Sequence, residues 1–114
     1  MTGDQKQKFI RKKSREHVPE ENERIMWSVH AVKKLRIEGF RKAEIEKCLK
    51  ECVIIEDYPV QNRPLPDCLM LGFVGTDPVH VVTVLDKDFD RIFIVTVYRP
   101  TPERWEDGWK KRKR

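Results

Sequence analysis

The sequence predicts an α+β protein: an N-terminal helical hairpin packed on a four-stranded antiparallel sheet, followed by a short C-terminal helix. Two early segments carry apolar residues at helical spacing, and four later segments are rich in Val, Ile and Leu. Short polar or proline-containing stretches separate these segments. Because the helices come before the strands instead of alternating with them, we expect an antiparallel sheet covered by the helices.

The first predicted helix lies in the segment WSVHAVKKLRIEG. Ser28 is a suitable N-cap, because its hydroxyl can accept a hydrogen bond from a free amide of the first turn. Trp27, Ala31 and Leu35 recur at four-residue spacing and form one apolar stripe. Gly39 is a suitable end, since glycine adopts the left-handed conformation at little cost.

The second predicted helix is RKAEIEKCLKEC, and only a few residues join it to the first. Its apolar residues follow the i, i+3, i+4, i+7 pattern of a single buried face: Ile45, Cys48, Leu49 and Cys52. With Cys68 the chain has three cysteines, and an odd number is typical of a reducing compartment. No further ligands follow at finger-like spacing, so we expect buried thiols and no metal or other cofactor.

Four extended segments follow the helices: VIIEDY, CLMLGFVG, VHVVTVLD and RIFIVTVY. The last two are apolar on both alternating faces, so we expect them to be central strands covered on both sides. The short polar stretch DKDFD joins them and predicts an antiparallel hairpin. The proline-containing segment VQNRPLPD is predicted to be a loop, and ERWEDGWKKRK a terminal helix with Trp105 and Trp109 on one side.

Charge is distributed unevenly over a chain whose net charge is +5. Residues 1–15 contain six basic residues and one acidic residue, and residues 110–114 are all basic. Residues 16–109 carry 13 basic and 18 acidic residues, so the basic excess lies in the tails. We therefore expect a basic extension at 1–24, which is either largely disordered and flexible or a frayed helix that docks late, and one domain at 25–114 with a basic tail. The tails either bind phosphate backbones or only aid solubility.

The apolar runs are too short to span a bilayer, and no apolar block follows the basic N-terminus as it would in a secretory signal. We therefore expect a cytoplasmic protein without a membrane partner.

Five polar residues at the ends of these elements are candidates for a catalytic site: His30, Lys34, His80, Tyr98 and Arg99. Imidazole titrates near neutral pH, a phenol can donate a proton or hold a phosphate oxygen, and cations stabilise negative charge on phosphorus. Together they offer an acid, a base and positive charge, the groups that acid–base chemistry at a phosphate requires. Each also has a purely structural interpretation, such as a backbone hydrogen bond, a strand cap, a phenol at the rim of the core or a salt bridge.

The register of the predicted hairpin decides whether two of these candidates meet. If the hairpin is centred near residue 89, His80 faces Tyr98 and the two side chains are neighbours on one face. If it is slipped by one residue, His80 faces Val97 and they separate. The sequence does not choose between the two registers.

Four motifs in order resemble a small prokaryotic domain family of unknown function: Ser-x-His-Ala at 28–31, the Gly-centred strand CLMLGF, Pro-x-His-Val-Val at 78–82 and Thr-Val-Tyr-x-Pro at 96–100. The resemblance covers residues 25–112. That family is more remotely similar to RelE- and BrnT-like toxins, which implies their fold, metal-free RNA cleavage and a small antitoxin partner. One departure is Lys34, where the family has Arg; the charge remains, but the bidentate fork that suits phosphate is lost.

Three functions therefore compete. The first is a toxin-like endoribonuclease, which predicts that the five candidates converge on one cleft. The second is a non-catalytic module that binds a protein or nucleic acid, with those residues spread apart. The third is a homodimer in which the C-terminal tryptophans pack across a two-fold axis.

Overall fold

The structure is a computed structural model that describes residues 1–58 and 65–114. It has an α+β fold with three helices, a five-stranded mixed sheet and a small C-terminal hairpin. The elements run in the order α1 (Gly3–Glu16), β1 (Ile25–Trp27), α2 (Val29–Glu38), α3 (Lys42–Cys48), β2 (Val53–Tyr58), β3 (Asp67–Val74), β4 (Asp77–Asp86), β5 (Arg91–Tyr98), β6 (Trp105–Glu106) and β7 (Lys111–Arg112). Residues 60–64 of the predicted loop at 60–67 lie outside the described residues.

The predicted helical hairpin is present as α2 and α3. Ser28 caps α2, since its Oγ accepts a hydrogen bond from the Ala31 amide over 3.0 Å. Gly39 ends α2 in the left-handed conformation, with a φ of 76°. Trp27, which was predicted to belong to the apolar stripe of the first helix, lies in β1 instead, and α3 ends at Cys48.

The sheet has one strand more than the sequence predicted. Strands β2 to β5 occupy the four predicted segments and pair antiparallel in chain order. Strand β1 adds to the outer edge of β5 in parallel, with Ile25 opposite Ile92 and Trp27 opposite Ile94. The prediction of a purely antiparallel four-stranded sheet is therefore wrong. A three-residue strand is too short to show a periodic pattern, so only its pairing reveals it.

The N-terminal segment, for which the sequence left disorder and a frayed helix open, contains the helix α1, and Ile10 of this helix belongs to the core. Helix α1 begins with a capping box in which Thr2 and Gln5 each bind the other's backbone amide. Its buried face contains Ile10 beside the polar residues Lys6 and Lys13. Because polar side chains form much of this face, the apolar periodicity that would have predicted the helix is missing.

His17, to which sequence analysis assigned no role, holds the end of α1 to the sheet. Its Nδ1 accepts hydrogen bonds from the amides of Arg24 at 2.9 Å and Ile25 at 3.2 Å. Its Nε2 lies 3.4 Å from a carboxylate oxygen of Glu46, which also accepts from the indole of Trp27. This ring therefore links α1, β1 and α3.

The predicted C-terminal helix is a β-hairpin. Asp107, Gly108 and Trp109 all have positive φ angles, between 53° and 73°, which no right-handed helix can contain. The Asp-Gly pair favours such a turn, so β6 and β7 fold back on each other. The described residues 103–113 therefore contain no helix, and Trp105 of β6 is buried within the chain.

The helices cover one face of the sheet. Alternate residues of β3, β4 and β5, among them Met70, Val81 and Ile94, belong to one apolar core with Ile10 of α1 and Leu35 of α2. None of the helices in the described part of the chain is long and apolar enough to cross a membrane.

The three cysteines are free and buried. Burial raises the pKa values of Cys48 and Cys68 to about 12, so both remain thiols. Cys48 packs directly on Gly72 of β3, where an added Cβ would lie 2.8 Å from Sγ. Gly72 therefore permits the close approach of α3 to the sheet.

Candidate functional site

A β-bulge in the β4–β5 hairpin brings His80 opposite Tyr98. Near the turn, Thr83 faces Ile94, and this register continued would place His80 opposite Val97. The register shifts at Val95, and beyond it His80 faces Tyr98. The two registers that the sequence left open therefore both occur, one on each side of the bulge.

His80 is fully buried, and both its ring nitrogens are occupied. Nε2 lies 2.8 Å from the carbonyl oxygen of Trp109, which can only accept, so Nε2 carries the hydrogen. Nδ1 therefore accepts the hydroxyl hydrogen of Tyr98, over 3.2 Å. The ring of Trp105 packs at right angles to the imidazole, with centroids 4.3 Å apart.

Burial lowers the pKa of His80. The Trp109 carbonyl and the carboxylate of Glu56 oppose the shift, whereas Arg112 adds to it. Burial also raises the pKa of Tyr98. The pair is therefore a neutral imidazole that holds a neutral phenol at neutral pH, beneath the hairpin formed by β6 and β7.

His30, Lys34 and Glu38 form a row along α2, each one turn from the next. His30 is exposed, and its Nε2 lies 3.1 Å from Oγ1 of Thr96. Lys34 Nζ lies 3.3 Å from a carboxylate oxygen of Glu38. Thr96 precedes Tyr98 by two residues on β5, so the row runs beside the strand that carries Tyr98.

Arg99 joins the end of this row to the sheet. Its Nε donates to the main-chain carbonyl of Glu38 over 2.7 Å, at the C-terminal end of α2. One terminal nitrogen lies 3.1 Å from the carboxylate of Asp77, and the guanidinium packs 4.0 Å from the ring centroid of Phe40. Arg99 thus contacts α2, the start of β4 and the α2–α3 connection.

A cleft of about 360 Å³ opens where α2, the end of β5 and the C-terminal hairpin meet. We call it the arginine cleft; its lining residues are Glu38, Tyr98, Arg99, Pro100, Thr101, Arg104, Trp105 and Arg112. Arg112 binds the Glu56 carboxylate with two nitrogens, at 2.6 and 3.0 Å. Arg104 is exposed and forms no ion pair with any residue that the structure describes. It is therefore the cleft arginine most available to an anion.

The structure brings the candidates together to different degrees. Tyr98 and Arg99 line the arginine cleft, and Lys34 reaches its wall through Glu38. His80 lies below Tyr98 with no exposed surface, and His30 lies along α2 beside Thr96.

Sequence analysis missed Arg104 and treated Arg112 as part of a tail. The Asp107-Gly108 turn was the available signal, because a hairpin there returns both arginines to the sheet. No group of three or more metal-binding side chains occurs within residues 1–58 and 65–114.

The family comparison covers the central part of the chain, from the end of β1 to the end of β5. A family model described as Domain of unknown function (DUF4258) matches residues 27–99. The match runs from Trp27, the last residue of β1, to Arg99, which follows β5. No curated protein and no solved structure matches the chain in these comparisons. The match covers well over half of the chain, so this protein belongs to the DUF4258 family.

Proposed function

We propose that this protein is a toxin-like, metal-independent endoribonuclease that acts on RNA in the cytoplasm through its arginine cleft. The observation that carries the proposal is the row of His30 and Lys34 beside the strand that presents Tyr98 to a cleft with three arginines. Proton-transfer groups and phosphate-binding cations thus lie along one surface.

In the proposed reaction, the 2′-hydroxyl of a nucleotide attacks the adjacent phosphorus. The hydroxyl loses its proton, a new P–O2′ bond forms and the P–O5′ bond breaks. The departing 5′-oxygen takes a proton, which leaves a 2′,3′-cyclic phosphate and a free 5′-hydroxyl. No oxidant, cofactor or metal is needed for this balance.

Tyr98 and His80 act together as the base. The phenol oxygen takes the proton of the 2′-hydroxyl while its own hydrogen passes to Nδ1 of His80, which already accepts it in a hydrogen bond. Glu56 stabilises the imidazolium that forms, in keeping with its opposing effect on the pKa of His80. His30, which reaches solvent, supplies the proton to the leaving oxygen.

The cations stabilise the charge that develops on the phosphoryl oxygens. Arg104 is available for direct contact, and Lys34 lies behind Glu38, with which it forms an ion pair at the wall of the cleft. Arg99 is held by Asp77 and the end of α2, so it contributes a fixed positive charge. Loss of one such donor reduces enzymatic rates by about a hundred- to a thousandfold.

The resemblance to RelE- and BrnT-like toxins supports assignment to the toxin class, including that fold and a small antitoxin as partner. The α+β architecture with antiparallel central strands is compatible with it. The parallel strand β1 and the C-terminal hairpin are additions to the expected arrangement.

The test is cleavage of a mixed single-stranded RNA by the purified full chain in the presence of EDTA. We expect wild-type protein to produce 2′,3′-cyclic phosphate ends, and Tyr98→Phe, His30→Ala and Arg104→Ala each to slow this about a hundredfold or more. Lys34→Ala is compared with Lys33→Ala, which removes an exposed lysine from the neighbouring position of α2. Equal loss in both lysine variants, or no cleavage by folded wild type, would refute the proposal.

A second candidate is a non-catalytic RNA-binding module. It is favoured by the complete occupation of the His80 nitrogens and by the ion pairs of Arg99 and Arg112, which make this region a rigid surface. RNA binding that weakens in Arg104→Ala, without cleavage by wild type, would establish this candidate instead.

A further inference from the structure

A second concave surface lies where the C-terminal end of α1, helix α3 and the β3–β4 turn meet. It encloses about 680 Å³, and we call it the α3 groove. Its lining residues are Arg15, Arg41, Ala43, Glu44, Lys47, Cys48, Lys50, Glu51, Phe73, Val74 and Gly75. None of these residues takes part in the proposed chemistry.

The groove is positively charged, with four basic and two acidic side chains. Arg41 lies 3.6 Å from Glu44 but remains 84% exposed. Arg15, Lys47 and Lys50 form no ion pairs within the described part of the chain. Three cations thus face the groove without an acidic partner, which suits a polyanion.

An aromatic ring stands among these cations. Phe73, near the end of β3, is half exposed at 50%, although the six strand residues before it are buried. A base of a single-stranded nucleic acid can stack on such a ring, and stacking is tolerant of sequence because every base has a flat face. An acidic peptide would use the cations but has no comparable use for the ring.

Arg99, which lines the arginine cleft, contacts two residues that neighbour the lining of the α3 groove in the sequence. The Arg99 guanidinium packs on Phe40, the residue before Arg41 of the groove. It also pairs with Asp77, two residues after Gly75 of the groove. A single strand that leaves the cleft at Arg99 is therefore directed toward the groove.

We propose that the α3 groove binds single-stranded RNA flanking the segment held in the arginine cleft, with Phe73 stacking on a base and Arg15, Lys47 and Lys50 contacting phosphates. This inference rests on the proposed function, because the bound RNA is one continuous strand. It extends that function by predicting a preference for single-stranded substrates that are long enough to span both sites.

The experiment measures binding of a fluorescent 2′-O-methyl RNA of about 12 nucleotides by anisotropy, a length within the usual range for such sites. Methylation blocks attack by the 2′-oxygen, so binding is measured without cleavage. The groove variants are Lys47→Glu/Lys50→Glu and Phe73→Ala. The matched control is Lys8→Glu/Lys12→Glu, which makes the same charge change on exposed positions of α1.

We expect the groove charge variant to weaken binding at least about tenfold and to lower the salt dependence by the equivalent of about two phosphate contacts. Phe73→Ala should weaken binding at least about fivefold, and the control pair less than twofold. A strand of about four nucleotides should show a smaller difference between wild type and the groove variants, because it can bind in the arginine cleft alone.

Equal binding of the longer RNA by wild type and groove variants would overturn the inference, as would an equal loss in the control pair. Tighter binding of an acidic peptide through the same residues would replace RNA by a protein partner. Groove-dependent RNA binding without cleavage would refute only the nuclease step. Cleavage with groove-independent binding would refute only the groove.

Discussion

Replacement of His80 by Gln should remove a pH dependence from the stability of this protein. His80 is buried and its folded-state pKa lies below the ordinary value of 6.5, with burial as the main cause. The unfolded chain therefore binds a proton more readily than the folded chain does. As pH falls below about 6.5, the free energy of unfolding decreases, by at most about 1.4 kcal/mol for each pH unit until the folded-state pKa is reached.

At higher pH, the loss of stability caused by replacing His80 follows from the contacts of its imidazole ring. His80→Leu would remove two hydrogen bonds and leave the Tyr98 hydroxyl and the Trp109 carbonyl without this partner. Each such loss costs about 1–2 kcal/mol, so we expect a total destabilisation of about 2–4 kcal/mol at pH 7.5. His80→Gln should cost less, since an amide can still donate to the carbonyl of Trp109.

The assay is urea denaturation at intervals between pH 5.5 and 8, followed by circular dichroism, for wild type, His80→Gln and His30→Ala. The wild type and the His30 variant both keep His80, so both should lose stability as pH falls below about 6.5. His80→Gln should lose less stability over the same range. A wild-type stability that is constant over this range, or an undiminished slope in His80→Gln, would refute the reasoning.

Three further predictions test the fold. Gly72→Ala should destabilise by about 1–3 kcal/mol because its Cβ would lie 2.8 Å from Sγ of Cys48, and Cys48→Ala in the same chain should restore part of the loss in a denaturant titration. Ser28→Ala should cost about 1 kcal/mol or more, since the N-cap hydrogen bond of α2 is lost; no change in the unfolding midpoint would contradict this. Gln7→Ala should speed hydrogen exchange at the Ile54 amide, which donates to Oε1 of Gln7 over 2.8 Å, and unchanged exchange would disprove that protection.

The edge strand β2 shows why α1 could not be predicted from a hydrophobic pattern. Gln7 accepts from the Ile54 amide, Arg11 donates to the Cys52 carbonyl over 2.7 Å, and Lys6 Nζ lies 3.0 Å from the Asp67 carbonyl. These contacts use polar side chains to cover backbone groups at the edge of the sheet. In the sequence, these side chains look like the polar and basic residues of a solvated tail.

The candidate site shows a similar division. Patterning alone predicted the strands that contain His80 and Tyr98, and one of the two possible registers placed them together. The bulge at Val95 decides between the registers, and no residue type in this apolar strand predicts the bulge. Arg104 and Arg112 came to the site only through the C-terminal hairpin.

The sequence by itself determined the elements whose signals are local. The Ser28 cap, the left-handed Gly39 and the alternating apolar strands depend on neighbours within a few residues, so they are visible in the chain. Only the tertiary structure decided the parallel pairing of β1, the docking of α1 and the contact of the Trp109 carbonyl with His80. Those features join residues that are distant in sequence, and their energies come from partners that local patterning does not identify.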